Sequence, residues 1–320
     1  MPDSSNTLSR HIDALLLQDP PRAKSLCVTL LGDAIGPHGG HIWLSDLIAL
    51  VDSLGVNERL LRTSVFRLVA QNWLHSERHG RRSLYSLSPM GDAQTQAASE
   101  RIYSGTPADW DGKWTLVVLP RFGHGSLDGR SALRRELIWA GFGAVAPGIF
   151  ALPRNQTQRA QKVLAKFDAA DKALVLDAQE LNDNGGLQIS DLIEQCWDLQ
   201  GVALQYQSFI KTFTPIVQAI DSQIRPRQAF AVRTLTIHTW RRIVLHDPQL
   251  PRQMLHPQWP GHAARQLCGQ LYWKVFDLAE SHLDDTIGQD AARYSPLPPY
   301  VYARFGGAPD KAQCEARIGG

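Results

Sequence analysis

The sequence predicts an α+β fold in three parts: an N-terminal winged helix-turn-helix at residues 20–92, a central ferredoxin-like domain at 110–180 and a C-terminal α-helical domain at 188–285. Three observations support this prediction. Helical spacing of apolar residues occurs three times before a strand-like hairpin, which is the element order of a winged helix-turn-helix. Strand and helix patterns then follow in the order β-α-β-β-α-β. Beyond Ile189 only helical spacing remains.

Composition places the chain among ordinary globular proteins. It has 320 residues, of which 43% are hydrophobic and 20% charged, with a formal net charge of +2. This is enough apolar material for two or three domains and carries no signature of disorder. The four cysteines form no CxxC pair, and no apolar run approaches the roughly 20 residues that span a bilayer. The N-terminus lacks the features of a secretory signal, so we expect a cytoplasmic protein without a membrane partner.

The first part carries start and stop signals for its helices. Leu26, Leu30 and Leu31 share one helical face between a proline pair and the breaker segment GPHGG. HIW then has the composition of a short strand. A second helix is predicted in LSDLIALVDSLG, where Ser45 is the expected cap and Gly55 the stop.

A third helix and a hairpin complete this part. Asn57 is placed to cap the helix, which should run to about Asn72. Its inner stripe should consist of Leu61, Val65, Leu68 and Val69. WLHSERHGRRSLYSL alternates with period two and predicts two strands joined at Gly80. We expect Phe66 to pack under this wing.

The central part begins after a polar linker helix and loop across residues 91–112. KWTLVVLP and KALVLDAQ have the apolar character of buried strands, and FGAVAPGIFALP divides into two strands at Pro147-Gly148. NQTQRAQKVLAKFDA predicts one helix, and SLDGRSALRRELIWAG predicts another. In the latter, the expected inward residues are Leu133, Leu137, Trp139 and Ala140, and the outward ones Arg130, Arg134 and Arg135.

The third predicted helix and the hairpin concentrate positive charge. Between residues 57 and 85 six arginines outnumber two glutamates, although the whole chain carries only +2. Arginine is well suited to bidentate contacts with guanine edges or phosphates. We expect Arg59, Arg62 and Thr63 to read bases, and Arg67 and the wing arginines to hold phosphates. The predicted DNA-binding residues are Asn57, Arg59, Arg62, Thr63, Arg67, Arg78, Arg81 and Arg82.

Seven ordered blocks of the sequence are distinctive when taken together. They are LGDAIGPHGGHIWLSDLIAL, NERLLRTSVFRLVAQNWL, GRRSLYSLSPMG, WDGKW, LIWAGFGAVAPGIF, HTWRRIVLHDPQLP and WPGHAARQLC. From about residue 22 to RFGG at 304–307, the chain resembles the PaaX family of phenylacetate-degradation repressors. The resemblance implies a homodimeric transcriptional repressor of aromatic catabolism. It also implies a GntR-type winged helix, a Cas2-like central domain and release from double-stranded operator DNA by phenylacetyl-coenzyme A.

A coenzyme A thioester needs cations for its phosphates and aromatic or apolar surfaces for its rings. The helical part offers both. The predicted ligand-binding residues are Trp240, Arg241, Arg242, His262 and Arg265. Two other interpretations stay open at this stage. These arginines pair with carboxylates while the aromatic residues form core, or Arg134 and Arg135 of the central domain bind the ligand.

We predict no catalytic residues, no metal site and no cofactor. His124, Ser126 and Asp128 lack the G-x-S-x-G spacing of a nucleophile elbow. Asp109 and Asp111 precede the first central strand, but two carboxylates alone do not make a metal site. The alternatives are a repressor that responds to another acyl-coenzyme A, a Cas2-like metal-dependent nuclease, and a winged helix whose basic face binds RNA or protein or is merely solvated.

Overall fold

The structure is a computed structural model that describes residues 4–105, 109–119, 127–154, 156–179, 188–287 and 294–308. Its chain forms two compact units. The first comprises residues 1–105, 207–242 and 262–320, and the second comprises 106–206 and 243–261. Residues of the predicted helical part contribute to both units. The division into three domains stays a prediction.

The first unit begins with a helix that was not predicted from the sequence. This helix, α1 (Ser4–Gln18), buries Leu8, Ile12 and Leu15, which lie on one face at intervals of four and three residues. The next helices are α2 (Ala23–Leu30), continued by a π-helical turn (Leu31–Ile35) and a 3₁₀ turn (Gly36–His38), then α3 (Leu44–Asp52) and α4 (Glu58–Ala70).

A three-stranded antiparallel sheet completes the predicted winged arrangement. Its strands are β1 (His41–Trp43), β2 (Leu74–His79) and β3 (Arg82–Leu87), in the order β1-β3-β2. The predicted hairpin is confirmed, with His79 paired to Arg82 and Gly80 at φ 60° in the turn. The polar linker helix also forms, as α5 (Pro89–Tyr103), with the Ser88 hydroxyl accepting from the Gly91 amide at 3.0 Å.

One predicted helix cap forms and the other does not. The Asn57 side-chain oxygen accepts from the Leu60 amide at 2.9 Å and so caps α4 as expected. The prediction for Ser45 is wrong, because α3 begins at Leu44 and Trp43 occupies the N-cap position. The Ser45 hydroxyl instead donates to the Asp46 carboxylate at 2.8 Å.

The second unit contains a four-stranded antiparallel sheet in the order β5-β6-β4-β7. The first strand in sequence lies between the third and the fourth, which is the ferredoxin-like arrangement expected for β-α-β-β-α-β. The elements are β4 (Lys113–Val118), α6 (Leu127–Trp139), β5 (Gly143–Ala146), β6 (Ile149–Pro153), α7 (Thr157–Lys166) and β7 (Leu174–Gln179).

Both faces of this sheet carry apolar packing. On the helix face, Val117 and Phe150 pack with residues of α6 and α7 such as Leu137 and Leu164. On the other face, Trp114 and Trp197 belong to a cluster with residues of α8 (Ile189–Cys196). The inward prediction for Trp139 is wrong: its side chain is 52% exposed, since the buried stripe of α6 consists of Leu133 and Leu137. Arg134 and Arg135 are exposed, as predicted.

Long helices make up most of the C-terminal sequence, as the helical spacing of its apolar residues predicted. They are α9 (Leu199–Ala219), α10 (Pro226–Val244) and α11 (Gly261–Ile287), followed by the short α12 (Pro299–Tyr302). In the first unit Phe209, Phe213, Phe230 and Trp240 are each at most 2% exposed, and the ring of Phe209 packs against those of Phe213 and Trp240. Among the helices described, none has the length and apolarity needed to cross a bilayer.

Candidate nucleic-acid interface and the polar network behind it

The second helix of the helix-turn-helix, α4, separates a buried face from a basic face. Leu61, Ser64, Val65 and Leu68 are buried, and the remaining residues are exposed or half-buried. Arg59, Thr63, Phe66 and Ala70 are all exposed and follow one another at intervals of four, three and four residues. Positions at these intervals lie one above another on a helix, so these four side chains form one exposed row along α4, which we call the central row.

Arg62 lies beside the central row and is paired within the helix. Its Nε donates to the Glu58 carboxylate at 2.7 Å, and its Nη2 lies 2.6 Å from the same oxygen. The two side chains are 53% and 55% exposed. A solvated pair of this kind is worth roughly 0.3–0.5 kcal/mol. Arg62 can therefore leave Glu58 for a stronger acceptor at little cost.

One arginine of the wing packs against an aromatic ring, whereas the other wing arginines are exposed to solvent. The Arg82 guanidinium carbon lies 4.1 Å from the ring centroid of Trp43, and His79 meets the same ring edge-on at 5.5 Å. Arg78 donates to the Gly80 carbonyl at 3.3 Å across the turn, and Arg81 is exposed at the tip. All the predicted DNA-binding side chains are exposed, from Asn57 to Arg82.

The prediction that Phe66 packs under the wing is wrong. Its side chain is 74% exposed. The buried face of α4 is centred on Leu61, Val65 and Leu68, and Phe66 stands on the opposite side of the helix. The ring therefore lies in the middle of the arginine-bearing face.

Behind the winged helix, a buried carboxylate is held by two arginines of the C-terminal segments. Asp33 lies in the π-helical turn after α2 and is 3% exposed. It accepts from Arg233 Nε at 2.9 Å, from Arg304 Nη1 at 3.1 Å and from the Tyr103 hydroxyl at 2.5 Å. Burial raises the pKa of Tyr103 well above its usual value, so its hydroxyl stays a donor. Arg304 also donates to the Tyr272 hydroxyl at 2.8 Å.

The network extends from Arg233 to the end of the 3₁₀ turn that precedes β1. Arg233 donates to Glu280, and the other oxygen of Glu280 lies 2.8 Å from His38 Nε2. The second ring nitrogen of His38 lies 2.7 Å from the Ser295 carbonyl, and Tyr294 stacks on the imidazole at 4.0 Å. Burial alone raises the pKa of Glu280, but Arg233 and His38 lower it overall, so the carboxylate stays charged.

The predicted ligand residues connect α10 and α11 to the N-terminal segments. Trp240, 2% exposed, donates its indole N–H to the Ile102 carbonyl at 2.9 Å. Arg241 Nη1 lies 3.2 Å from both the Ser25 carbonyl and the Thr29 hydroxyl, and Arg265 donates to the Tyr103 carbonyl at 2.7 Å. The other two members are the exposed Arg242, which pairs with Asp19 at 2.8 Å, and His262 at the start of α11. The set stays a prediction.

Two cavities lie near these groups in the first unit. One of about 30 Å³ lies between α2, α5 and α10 and is lined by Thr29, Thr95 and Arg241. The other, of about 370 Å³, is lined by Asp277, Glu280 and Asp284 together with aromatic rings. A typical small-molecule site has roughly 300–1,000 Å³, so the first cavity is too small for a coenzyme A. The second has the volume for part of one, but its carboxylates repel phosphates.

The comparisons with known proteins agree with one another over most of the chain. Residues 22–91 match the family model of the PaaX-like protein, residues 107–188 the PaaX protein central Cas2-like domain, and residues 197–285 the PaaX-like protein C-terminal domain. The chain is 37% identical over 292 residues to the transcriptional repressor PaaX of Escherichia coli strain K12, covering 90% of this chain and 91% of that protein.

This chain belongs to the PaaX family. It is therefore a transcriptional regulator of the repressor type and not an enzyme, which removes the nuclease alternative. Asp111 is one of the two carboxylates considered as metal ligands of a nuclease. In this PaaX-family chain it accepts a hydrogen bond from the Lys113 amide at 3.1 Å and stabilises a turn. His124 and Ser126 lie outside the described residues. Among the residues that the structure describes, no three metal-ligating side chains come together.

A solved structure shares the fold. The uncharacterized protein Rv0674 from Mycobacterium tuberculosis superposes with a TM-score of 0.53 at 23% identity, covering 82% of this chain and 98% of that one. At this identity the likeness extends to the fold alone.

The buried network of this PaaX-family chain was missed by the reasoning from sequence. Its ionisable members are Asp33, His38, Arg233, Glu280 and Arg304. A signal was present, because Arg233 precedes the buried Trp240 by seven residues and so shares its apolar stripe. A charged residue on an apolar stripe predicts a buried partner, although it does not say which one.

Proposed function

We propose that this protein represses genes of phenylacetate catabolism by binding double-stranded operator DNA as a cytoplasmic homodimer, and that phenylacetyl-coenzyme A releases it. The observation that carries the proposal is the exposed basic face of α4, next to a basic wing, in a chain of the PaaX family. Cations grouped in this way release counterions when they meet phosphates, so binding should depend steeply on salt.

The residues of this face divide between base reading and phosphate binding. Arg59, Arg62 and Thr63 occupy the first half of α4, where a recognition helix meets base edges. The Thr63 hydroxyl donates to the Arg59 carbonyl at 2.9 Å, which leaves its oxygen free to accept from a base amino group. The remaining arginines hold phosphates in this proposal; they are Arg67, Arg78, Arg81 and Arg82.

Binding measurements with variant arginines test the division. Arg62→Ala should weaken binding to the specific site by about 1–3 kcal/mol and relax the base preference there. Arg81→Ala should weaken binding to all DNA sequences alike. It should also reduce the slope of the logarithm of the binding constant against the logarithm of the salt concentration by about one unit. Arg227→Ala serves as the matched control, because Arg227 is 58% exposed in the same unit but outside the wing and α4. Equal behaviour of the Arg62 and Arg81 variants would contradict the division.

A further variant examines the pair within α4. Glu58→Gln removes the carboxylate that holds Arg62 and takes one negative charge from the basic face. We expect Glu58→Gln to bind the same duplex more tightly than the wild type, and the gain to shrink in the double variant with Arg62→Ala, where only the loss of the negative charge remains. A loss of affinity in the single variant would show that Glu58 itself contributes to binding.

Release by an effector requires that the ligand bind the DNA-free form more tightly than the DNA-bound form. The contacts of Trp240, Arg241 and Arg265 with the N-terminal segments support this part of the proposal. A ligand whose phosphates attracted Arg241 away from Thr29 would change the packing of α2, which lies against α4. Arg241 has two uncharged acceptors in the structure, so a phosphate would be a stronger partner for it.

The decisive assay is a mobility shift with operator DNA in the presence of phenylacetyl-coenzyme A. Phenylacetate, coenzyme A and a second aromatic acyl-coenzyme A are the controls. Release by phenylacetyl-coenzyme A alone supports the proposal in full, whereas release by the second thioester alone would leave a repressor of the same architecture with another effector. Sedimentation of the free and DNA-bound protein tests the homodimer.

A further inference from the structure

The ring of Phe66 occupies a position that packing within the described chain does not explain. Phe142, Phe150, Phe209, Phe213, Phe230 and Phe276 are at most 3% exposed, whereas Phe66 is 74% exposed on a helix that buries its other face well. A phenyl group in water forgoes the stabilisation of burial, and this one stands within the exposed basic face of α4.

The surroundings of Phe66 indicate the chemistry of its partner. Arg62 and Thr63 precede it by four and three residues on the exposed side of α4, and Arg67 follows it. A partner of this surface must therefore be anionic around the ring and apolar where the ring makes contact. A second apolar side chain, Ala70, lies one turn further along the central row and is also exposed.

The central row changes from polar to apolar along its length. Arg59 and Thr63 form its first half, and Phe66 and Ala70 form its second half. Seven residues of helix separate Arg59 from Phe66, which corresponds to about 10 Å along the axis. Since stacked base pairs repeat at roughly 3.4 Å, this is the length of about three base-pair steps.

Resting on the proposed DNA binding, we propose that Phe66 recognises a thymine by packing against its 5-methyl group in the major groove, about three base pairs from the base that Arg59 reads. Thymine is the natural base that presents an apolar group there, and phenylalanine and alanine are among the side chains that contact it. Phe66 has no hydrogen-bonding group, so its selectivity comes from the methyl group alone.

Uracil provides the matched probe, because it has the hydrogen-bonding groups of thymine and lacks only the methyl. A duplex selected by the full-length protein from a random pool is amplified once with dTTP and once with dUTP. We expect the wild type to bind the thymine duplex about fourfold more tightly per half-site, the worth of burying one methyl group. Phe66→Ala should bind both duplexes alike, and Phe66→Leu should keep part of the preference.

A variant and a position scan make the test specific. Arg81→Ala weakens binding but should leave the thymine-to-uracil ratio unchanged. Single thymine-to-uracil replacements should locate the effect at one position in each half-site. A general change in DNA shape would instead spread the effect over the site and would persist in Phe66→Ala, which overturns the inference.

The remaining outcomes are distinguishable. Wild-type protein that binds the selected duplex without discriminating thymine from uracil overturns the role of Phe66 and leaves the DNA-binding proposal standing. If Phe66→Ala lost the same factor of affinity for both duplexes, the ring would stack on or between bases. This result also overturns methyl recognition. Failure of the wild type to select any duplex defeats the proposed function itself. Loss of self-association in Phe66→Ala would assign the ring to a protein contact and refute the inference.

Discussion

Replacing Asp33 with asparagine is the most direct perturbation of the buried network. The carboxylate is 3% exposed and accepts from Arg233 at 2.9 Å, from Arg304 at 3.1 Å and from Tyr103 at 2.5 Å. Asparagine keeps the size but removes the negative charge and one acceptor oxygen. Arg233 keeps Glu280 as a charged partner. Arg304 loses the carboxylate with which it forms a described ion pair.

The size of the stability loss in Asp33→Asn follows from the buried arginine charge that remains without its carboxylate. Removing one partner of a buried ion pair costs about 3–5 kcal/mol, because the remaining charge stays desolvated without compensation. Melting temperatures fall by about 2–4 °C per kcal/mol for folded units of 150–250 residues. We therefore expect Asp33→Asn to lower the melting temperature by about 6–20 °C, with a matching loss in the free energy of unfolding in urea.

The matched control is Asp52→Asn. Asp52 also pairs with an arginine, Arg227 at 2.7 Å, but the two side chains are 73% and 58% exposed. An exposed pair of this kind contributes about 0–1 kcal/mol, so the control should unfold close to the wild type. Adding Arg304→Met to Asp33→Asn should recover part of the loss, because it removes the unpaired charge. A loss below about 1 kcal/mol in Asp33→Asn would refute the reasoning.

Two further predictions concern His238 and the cap of α4. Burial, followed by Arg241 and Arg242, lowers the pKa of His238 from 6.5 to about 4, so the unfolded state binds a proton in this window that the folded state does not. Folded stability should therefore fall by up to about 3 kcal/mol as the pH drops from 6.5 to 4, and His238→Gln should make that fall shallower in urea unfolding at several pH values. Asn57→Ala should cost about 0.5–2 kcal/mol by calorimetry, since the Leu60 amide loses its acceptor, whereas Asn57→Asp should cost little; equal costs would contradict the cap.

Much of the fold was predictable because its signals are local. The Asn57 cap, the Gly80 turn and the inner stripe with Leu61 and Val65 depend on residues within a few positions of one another. The β-α-β-β-α-β order was also predictable from local signals, because each strand and helix shows its own repeat of apolar residues. The predictions for Ser45, Phe66 and Trp139 failed at a different level. Each required knowing the helix boundary or the neighbour against which a side chain packs.

The sequence by itself determined the element order, the cap and the basic composition of α4, because period, capping chemistry and charge are properties of short segments. Its ordered blocks also identified the PaaX family. Only the tertiary structure decided which charged residues are buried and with which residues they form ion pairs. Asp33 and Arg233 are 200 positions apart in sequence, yet their side chains lie 2.9 Å from each other. Desolvation requires a buried charge to have a partner, but folding chooses that partner by packing, which no local pattern records.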